Sequence, residues 1–383
     1  MNLFRLFTFC VCVQSFSLAY GDFSPEKVGE IEMLPSPYPD HWLIIRDFGA
    51  LALSIEGRHL VVDPLGKSLK DQFKGMMTAS FAADLLNSPS GDEYYVVETF
   101  WSRGGRGGER TDVVSVYDPT TLSVVDEISV PPRRITGMPK RSNTGLINSG
   151  RFLAIYSFSP SQDALIVDLR NRRYVNKIPL AGCGLVIPNG ELSFTSVCAD
   201  GSLQTTHLKT DGTLKDRSKV YDVFDPIEDP VFEAPAIFDD MAYFLTYKGT
   251  VVPIDVSKEK VAVKSTWKLS DSDDGWRPGG INQLVEDSSG LVYILMHPDG
   301  ANGTHDNGGS EIWVFDMVKR KRLSRISLES WGIALGTSGS DDNRLLFVTN
   351  INQKVDTYRI PDGRFLKTLD VGAQAPLVLQ GVR

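Results

Sequence analysis

The amino-acid sequence predicts an all-β fold, a seven-bladed β-propeller, on three observations. A short apolar strand running into an aspartate, a turn and a second alternating strand recurs along the chain. The recurrence has the spacing of one four-stranded blade, and no stretch beyond residue 21 carries the capped amphipathic pattern of a long helix.

In chain order the copies begin with HLVVDPLGKSLKDQF at Asp63, VSVYDPTTLSVVDEISV at Asp118 and ALIVDLRNRRYVNKIPL at Asp168. VVPIDVSKEKVAVKS at Asp255 and EIWVFDMVKRKRLSRISL at Asp316 follow the same form. Two weaker copies keep the strands without the aspartate, QTTHLKTDGTLKDRSKV at Lys209 and KVDTYRIPDGRFLKTL at Arg359. The seven marker positions are 55, 50, 41, 46, 61 and 43 residues apart, against about 40–50 for a propeller blade. Each aspartate suits the tip of a tight hairpin because its carboxylate accepts hydrogen bonds from its own turn. Period-two alternation in VSVY and LSVVDEISV marks strands. A β-sandwich is the competing all-β reading, and seven regular hairpins over more than 300 residues fit it badly. The propeller is assigned to residues 42–383, with PLVLQ (376–380) expected to pair beside an N-terminal blade and close the ring.

Residues 1–21, MNLFRLFTFCVCVQSFSLAYG, hold one cation, an apolar run and small residues before the end, the pattern of a secretory signal. Gln14 and Ser15 break the apolar run, whereas a spanning helix needs about 20 apolar residues. The segment 22–41, with Pro25, Pro35, Pro37 and Pro39, reads as an extended arm. Removing the signal leaves 39 basic residues against 48 acidic ones, a formal charge of −9 that disfavours nucleic-acid binding. Cys183 and Cys198 then remain in an exported, oxidising setting, where one disulfide across a short loop is the natural reading and two separately buried thiols the alternative.

The five histidines are scattered without metal-ligand spacing, and no nucleophile elbow, zinc-protease or phosphate-loop motif occurs. Asp271, Asp273 and Asp274 lack the closing glutamate of a calcium loop and read as an acidic turn. Trp276 and Arg277, beside Pro278-Gly279-Gly280, either pack at a blade end or face a partner. Asn302-Gly303-Thr304 reads as a turn within a long inter-strand loop, 296–309. RGGRGGER (103–110) is a single copy flanked by strands; it lacks the last glycine and following helix of a phosphate loop, so it is a hairpin connection. Arg110 is expected to pair with Asp112, leaving Arg103 and Arg106 as interface candidates together with Trp276 and Arg277.

The stretches SRGGRGGERTDVVSVYDPTTL, ISVPPRR, AGCGLVIPNGELSFTSVCADGSL, DPVFEAPA, DGWRPGG and MHPDGANGTHDNGGSEIWVFD, within residues 100–320, resemble the heavy (alpha) subunit of the quinoprotein amine dehydrogenases. VPPRR and the last stretch are more similar to the aromatic amine (aralkylamine) branch than to the methylamine one. The resemblance implies a periplasmic α2β2 complex with a small, disulfide-rich light (beta) subunit. That subunit carries tryptophan tryptophylquinone, oxidises primary amines to aldehyde and ammonia, and passes electrons to a blue copper protein of azurin or amicyanin type. It places no catalytic residue, cofactor or metal in this chain. It also implies that Phe81, ending GMMTASF (75–81), lines the substrate channel, and that Cys183 and Cys198 form the family's intrasubunit disulfide. The Arg/Gly turn departs from the family form Arg-Gly-x-Arg-[Ser/Thr]-Asp by being enlarged with glycines. Two readings from other classes compete: a stand-alone hydrolase of lactonase type with a tunnel calcium held by carboxylates and amides, and a pure binding propeller.

Overall fold

The structure, a computed structural model, describes residues 33–49, 56–134, 137, 140–270 and 275–382. The assigned signal, residues 22–32 of the arm and Asp271, Asp273 and Asp274 lie outside the described residues. Nearly all regular structure is antiparallel strand, and the one α-helix among the described residues is the four-residue Leu69–Gln72.

Among the described residues the strands form six hydrogen-bonded sheets. In the first, Pro376–Gly381 is innermost, followed outwards by β1 (Leu43–Asp47), β2 (Glu56–Val62) and β3 (Phe73–Ser80). The C-terminal strand thus pairs with β1, Ile45 opposite Leu379, and closes the ring as the sequence predicts. The second sheet runs β4 (Asp84–Asn87), β5 (Tyr94–Trp101), β6 (Arg110–Asp118) and β7 (Ser123–Val130).

Five sheets are discrete blades of four or five strands, and the sixth is eight-stranded, so seven separate sheets are not what the chain builds. The difference lies in Lys321–Ser338, an 18-residue strand. Its first part pairs with Gly309–Asp316 and its last part with Leu345–Asn350. The intervening LESW offers no proline, glycine, asparagine or aspartate before Gly332, and the strand bends across without breaking.

The aspartate turns form as expected. Asp118 Oδ1 accepts from Thr120 N at 2.7 Å, Asp255 Oδ1 from Ser257 N at 3.1 Å and Asp316 Oδ1 from Lys319 N at 2.9 Å. Asp63 and Asp168 cap their turns the same way. Each blade presents one face to each neighbour, and the gaps between blades are filled with strand side chains. Val97, Val114 and Val116 of one blade meet Leu153, Ile155 and Leu165 of the next in one cluster. Each such fully buried aliphatic side chain contributes about 1.5–3 kcal/mol.

Because successive strands are antiparallel, connections alternate between two faces of the ring. The lower face takes the aspartate turns between third and fourth strands. The upper face takes the hairpins between second and third strands and the crossings from blade to blade. Residues 33–42 lie against the second blade, where Leu34 N donates to Thr120 O at 2.8 Å and Tyr38 and Trp42 are buried. This part of the predicted arm therefore packs into the ring.

Candidate functional site

Two upper-face connections meet. Residues 81–83 cross from β3 to β4, and residues 102–109 join β5 to β6. Between them lies a cleft of about 560 Å³ lined by Glu56, Thr78–Phe81, Thr99–Trp101 and Gly104, Gly105 and Gly107 of the Arg/Gly turn. Phe81 and the turn, two separate features of the sequence, are thus opposite walls of one cleft. Phe100 and Trp101 are 44% and 42% exposed, unusual for large aromatics at a strand end. Glu56 is the one titratable side chain among the described residues lining the cleft.

The Phe81 wall is a tight turn in which Ala83 N donates to Ser80 O, with Ala82 in the left-handed region at φ 51°. A non-glycine residue held there carries strain and persists only where its surroundings over-determine it. Here they do. Arg134, buried, reaches across from the next blade crossing and donates to Ala82 O at 3.1 Å, Phe81 O at 3.3 Å and Ser80 Oγ at 3.4 Å. Ser80 N donates to Glu98 Oε1 at 2.9 Å, and Thr99 N donates to Ser80 Oγ at 2.9 Å. Burial pushes the Glu98 carboxyl up, while a hydrogen bond from the Ser115 hydroxyl pulls it the other way. Burial likewise pushes Asp84 up against the pull of Arg46 and Arg134. The Phe81 ring itself is half-buried and packs on a small cluster that includes Phe48, Ala82 and Leu377.

The opposite wall rests on Arg110. Its Nε and Nη2 donate to both oxygens of Asp112 at 2.8 Å, and Nη2 also donates to Arg134 O at 2.8 Å, so the expected Arg110–Asp112 pair forms. The Arg110 guanidinium stands 5.5 Å from the Trp101 ring centre. The turn itself is a hairpin, Trp101 paired with Arg110, containing a 3-10 turn at Gly104–Arg106. Gly107 and Gly108 sit at φ 78° and 106°, and a Cβ on Gly108 would fall 2.5 Å from Ser102 Oγ, so glycine is required there. Arg103 and Arg106 are exposed on this turn.

The other singled-out residues lie elsewhere on the upper face. Cys183 and Cys198 are bonded, buried and directly opposite across two strands. Trp276 is half-buried, 5.7 Å from the Trp313 ring with the Arg325 guanidinium 4.6 Å over it. Arg277 lies over Gly300 and donates to Trp276 O at 3.2 Å. Gly303 adopts a left-handed turn at φ 87° ahead of the 3-10 turn Thr304–Asp306, consistent with the turn reading of 302–304.

The central channel holds a larger cavity of about 880 Å³, reached from the lower face. It is lined by the innermost strands and by Arg46, Arg141, Asp239, Glu286 and Asp287. Arg141 Nη2 donates to Leu284 O at 2.6 Å. Among the described residues no group of three or more His, Cys, Asp or Glu side chains is placed to hold a metal.

Sequence reasoning missed Trp101, Glu98, Asp112 as a hub and Arg134. The signals were present: an aromatic pair directly before a glycine-rich turn, and two arginines after a proline pair.

The family model of the methylamine dehydrogenase heavy chain (MADH) matches residues 58–382. The methylamine dehydrogenase heavy chain of Methylobacillus flagellatus is 26% identical over 318 residues, 81% of this chain and 78% of that protein. The one from Paracoccus versutus is 23% identical over 362 residues, 92% of this chain and 82% of that protein. Among solved structures, a periplasmic gluconolactonase of Pseudomonas aeruginosa superimposes with a TM-score of 0.60 at 15% identity, covering 89% of this chain and 100% of that one. That likeness shows the fold alone.

Proposed function

We propose, from the premise that this chain belongs to the methylamine dehydrogenase heavy-chain family, that it is the noncatalytic heavy subunit of a periplasmic amine dehydrogenase acting on arylalkyl primary amines. A light subunit docks on its upper face, and electrons leave the complex to a blue copper protein. The tryptophan tryptophylquinone of that light subunit supplies the electrophilic carbonyl and electron sink for converting amine to aldehyde and ammonia.

The observation that carries the reading is the cleft at Phe81. Phe81, Phe100 and Trp101 give it three aromatic rings, and Glu56 gives it one carboxylate at the rim. That combination suits a cation bearing an aromatic side chain, because the ring faces attract ammonium and pack against an aryl group. This chain's part is then to admit, orient and sort the amine by shape and charge.

The upper face also supports docking. Phe100 and Trp101 at the upper end of β5, and Phe158, Tyr221, Ile227 and Ile351 on upper-face connections, are exposed large apolar side chains, a composition that marks contact surfaces. Arg103, Arg106, Trp276 and Arg277 share that face and complete the proposed interface. The eight-stranded sheet is read as two blades sharing one strand, which makes seven blades over residues 42–383. Residues 1–21 are read as the export signal, a destination in keeping with the buried disulfide.

The test is co-expression with a cysteine-rich light chain. The expected result is a coloured complex that oxidises 2-phenylethylamine, with the heavy subunit alone colourless and inactive. A heavy subunit that never associates with such a chain overturns the reading.

A further inference from the structure

One buried network ties the two walls of the cleft together. Asp112, 1% exposed, accepts from Arg110 on one side and from the backbone N–H groups of Arg133 and Arg134 on the other, at 3.0 and 3.1 Å. Arg110 closes the loop by donating to Arg134 O and stands against Trp101. Arg134 then carries the connection to the far wall through Ser80, Phe81 and Ala82. Trp101, Arg110, Asp112, Arg134 and the Phe81 turn are therefore one continuous chain of contacts that returns to the cleft from which it starts. No other polar reach to the Phe81 and Ala82 carbonyls occurs among the described residues.

We propose that Arg134, fixed by Asp112, is the positioning residue that sets the distance between Phe81 and the Phe100–Trp101 wall, and thereby the size of amine the cleft accepts. It acts through Phe81 and touches no substrate. A guanidinium is needed because its planar fork reaches three acceptors at once, where an ammonium is a compact point donor. The left-handed backbone at Ala82 makes the turn dependent on this hold, since without it the turn relaxes towards ordinary angles and carries Phe81 with it.

The inference rests on the reading of the cleft as an amine passage, so the experiment has one arm that does not depend on it. Arg134→Lys retains the buried charge beside Asp84 and Glu98. In the isolated heavy subunit, hydrogen exchange at residues 80–83 should speed up at least tenfold, with the Asp118 and Asp255 turns unchanged; unchanged exchange at 80–83 overturns the clamp whatever the activity. In the complex with its light subunit, methylamine and 2-phenylethylamine are the probes. Arg134→Lys should lower the kcat/KM ratio of the larger to the smaller amine about five- to tenfold, with methylamine kcat within twofold of the parent. In a Phe81→Ala background the same substitution should leave the ratio unchanged. Equal loss for both amines, or an undiminished effect without Phe81, overturns the positioning role. A parent complex that oxidises neither amine, with exchange behaving as expected, rejects the functional reading and leaves the clamp standing.

Discussion

Replacing Phe81 with alanine tests the cleft most directly. The ring is half-buried and packs beside Phe48 and Leu377. A half-covered phenylalanine hides on the order of 100 Å² of apolar surface, so truncation costs about 2.5 kcal/mol at 25 cal/mol per Å². That is below the roughly 5–15 kcal/mol by which folded domains are stable, so the heavy subunit should fold and assemble. The effect on selection is separate. Shape differences in an apolar pocket are worth about 1–3 kcal/mol between competing substrates, or roughly 5- to 150-fold in relative kcat/KM. Widening the gap opposite Trp101 should favour the bulkier amine. The assay is kcat/KM for 2-(1-naphthyl)ethylamine against 2-phenylethylamine in the purified complex, with a rise of about tenfold in that ratio expected. Two results refute the reasoning: loss of the complex, which makes Phe81 a core residue, or an unchanged ratio in an intact complex, which removes it from the passage.

Cys183→Ser with Cys198→Ser should cost about 3 kcal/mol, the loop-closure value for a bridge of this span, with a lower denaturant midpoint as the readout; an unchanged midpoint contradicts it. His59 is buried with neither ring nitrogen hydrogen-bonded among the described residues, and burial, aided by Arg46, pushes its pKa down to about 3. The unfolded chain binds that proton near pH 6.5, so stability should fall as pH drops from about 6.5 to 3, by up to about 1.4 kcal/mol per pH unit. His59→Phe should flatten that slope in chemical denaturation, and an unchanged slope rejects the assignment. Asp255 is held down at about 2 by the Ser257 hydroxyl and then Lys264. Its contribution is present above about pH 4 and is lost as pH falls towards 2, so Asp255→Asn should show a shallower loss of stability across that window.

The fold was readable where the cause of a feature is local. An aspartate that caps its own turn does so wherever it sits, and even the two weak copies show it shifted by a few residues. Asp211 accepts from Thr213 N at 2.9 Å and Asp362 from Arg364 N at 3.4 Å. The merging of two sheets along Lys321–Ser338 was not readable from the repeat, because the repeat marks hairpins and is silent about crossings. At the site, Phe81 and the Arg/Gly turn were each legible, but their meeting was not. They touch because a blade crossing and the next blade's hairpin emerge on the same face, a consequence of topology. Arg134, after Pro131-Pro132, carries no local signal of its place. Its burial makes sense only with Asp84, Glu98 and Asp112 around it, carboxylates drawn from three other strands.

The connections of the ring are therefore held in two ways, and the difference bears on where function resides. Turns such as those at Asp118 and Asp255 are closed by a carboxylate of the same hairpin, so a change at one aspartate loosens one turn. Other connections are tied by buried charges distant in sequence, and these occur on both faces, as where Arg344 donates to Asp287 at 2.7 Å on the lower one. Besides Asp112 and Arg134, Asp47 Oδ1 accepts from Gln374 N and Ala375 N at 3.0 and 2.7 Å, while its other oxygen pairs with Arg58. A buried carboxylate with several charge-assisted donors is costly to leave unpaired, so each such hub fixes several segments together. A cleft walled by connections of that kind keeps a defined width although its walls are loops. A passage that sorts molecules by shape needs that property, and it is met on the upper face at Phe81.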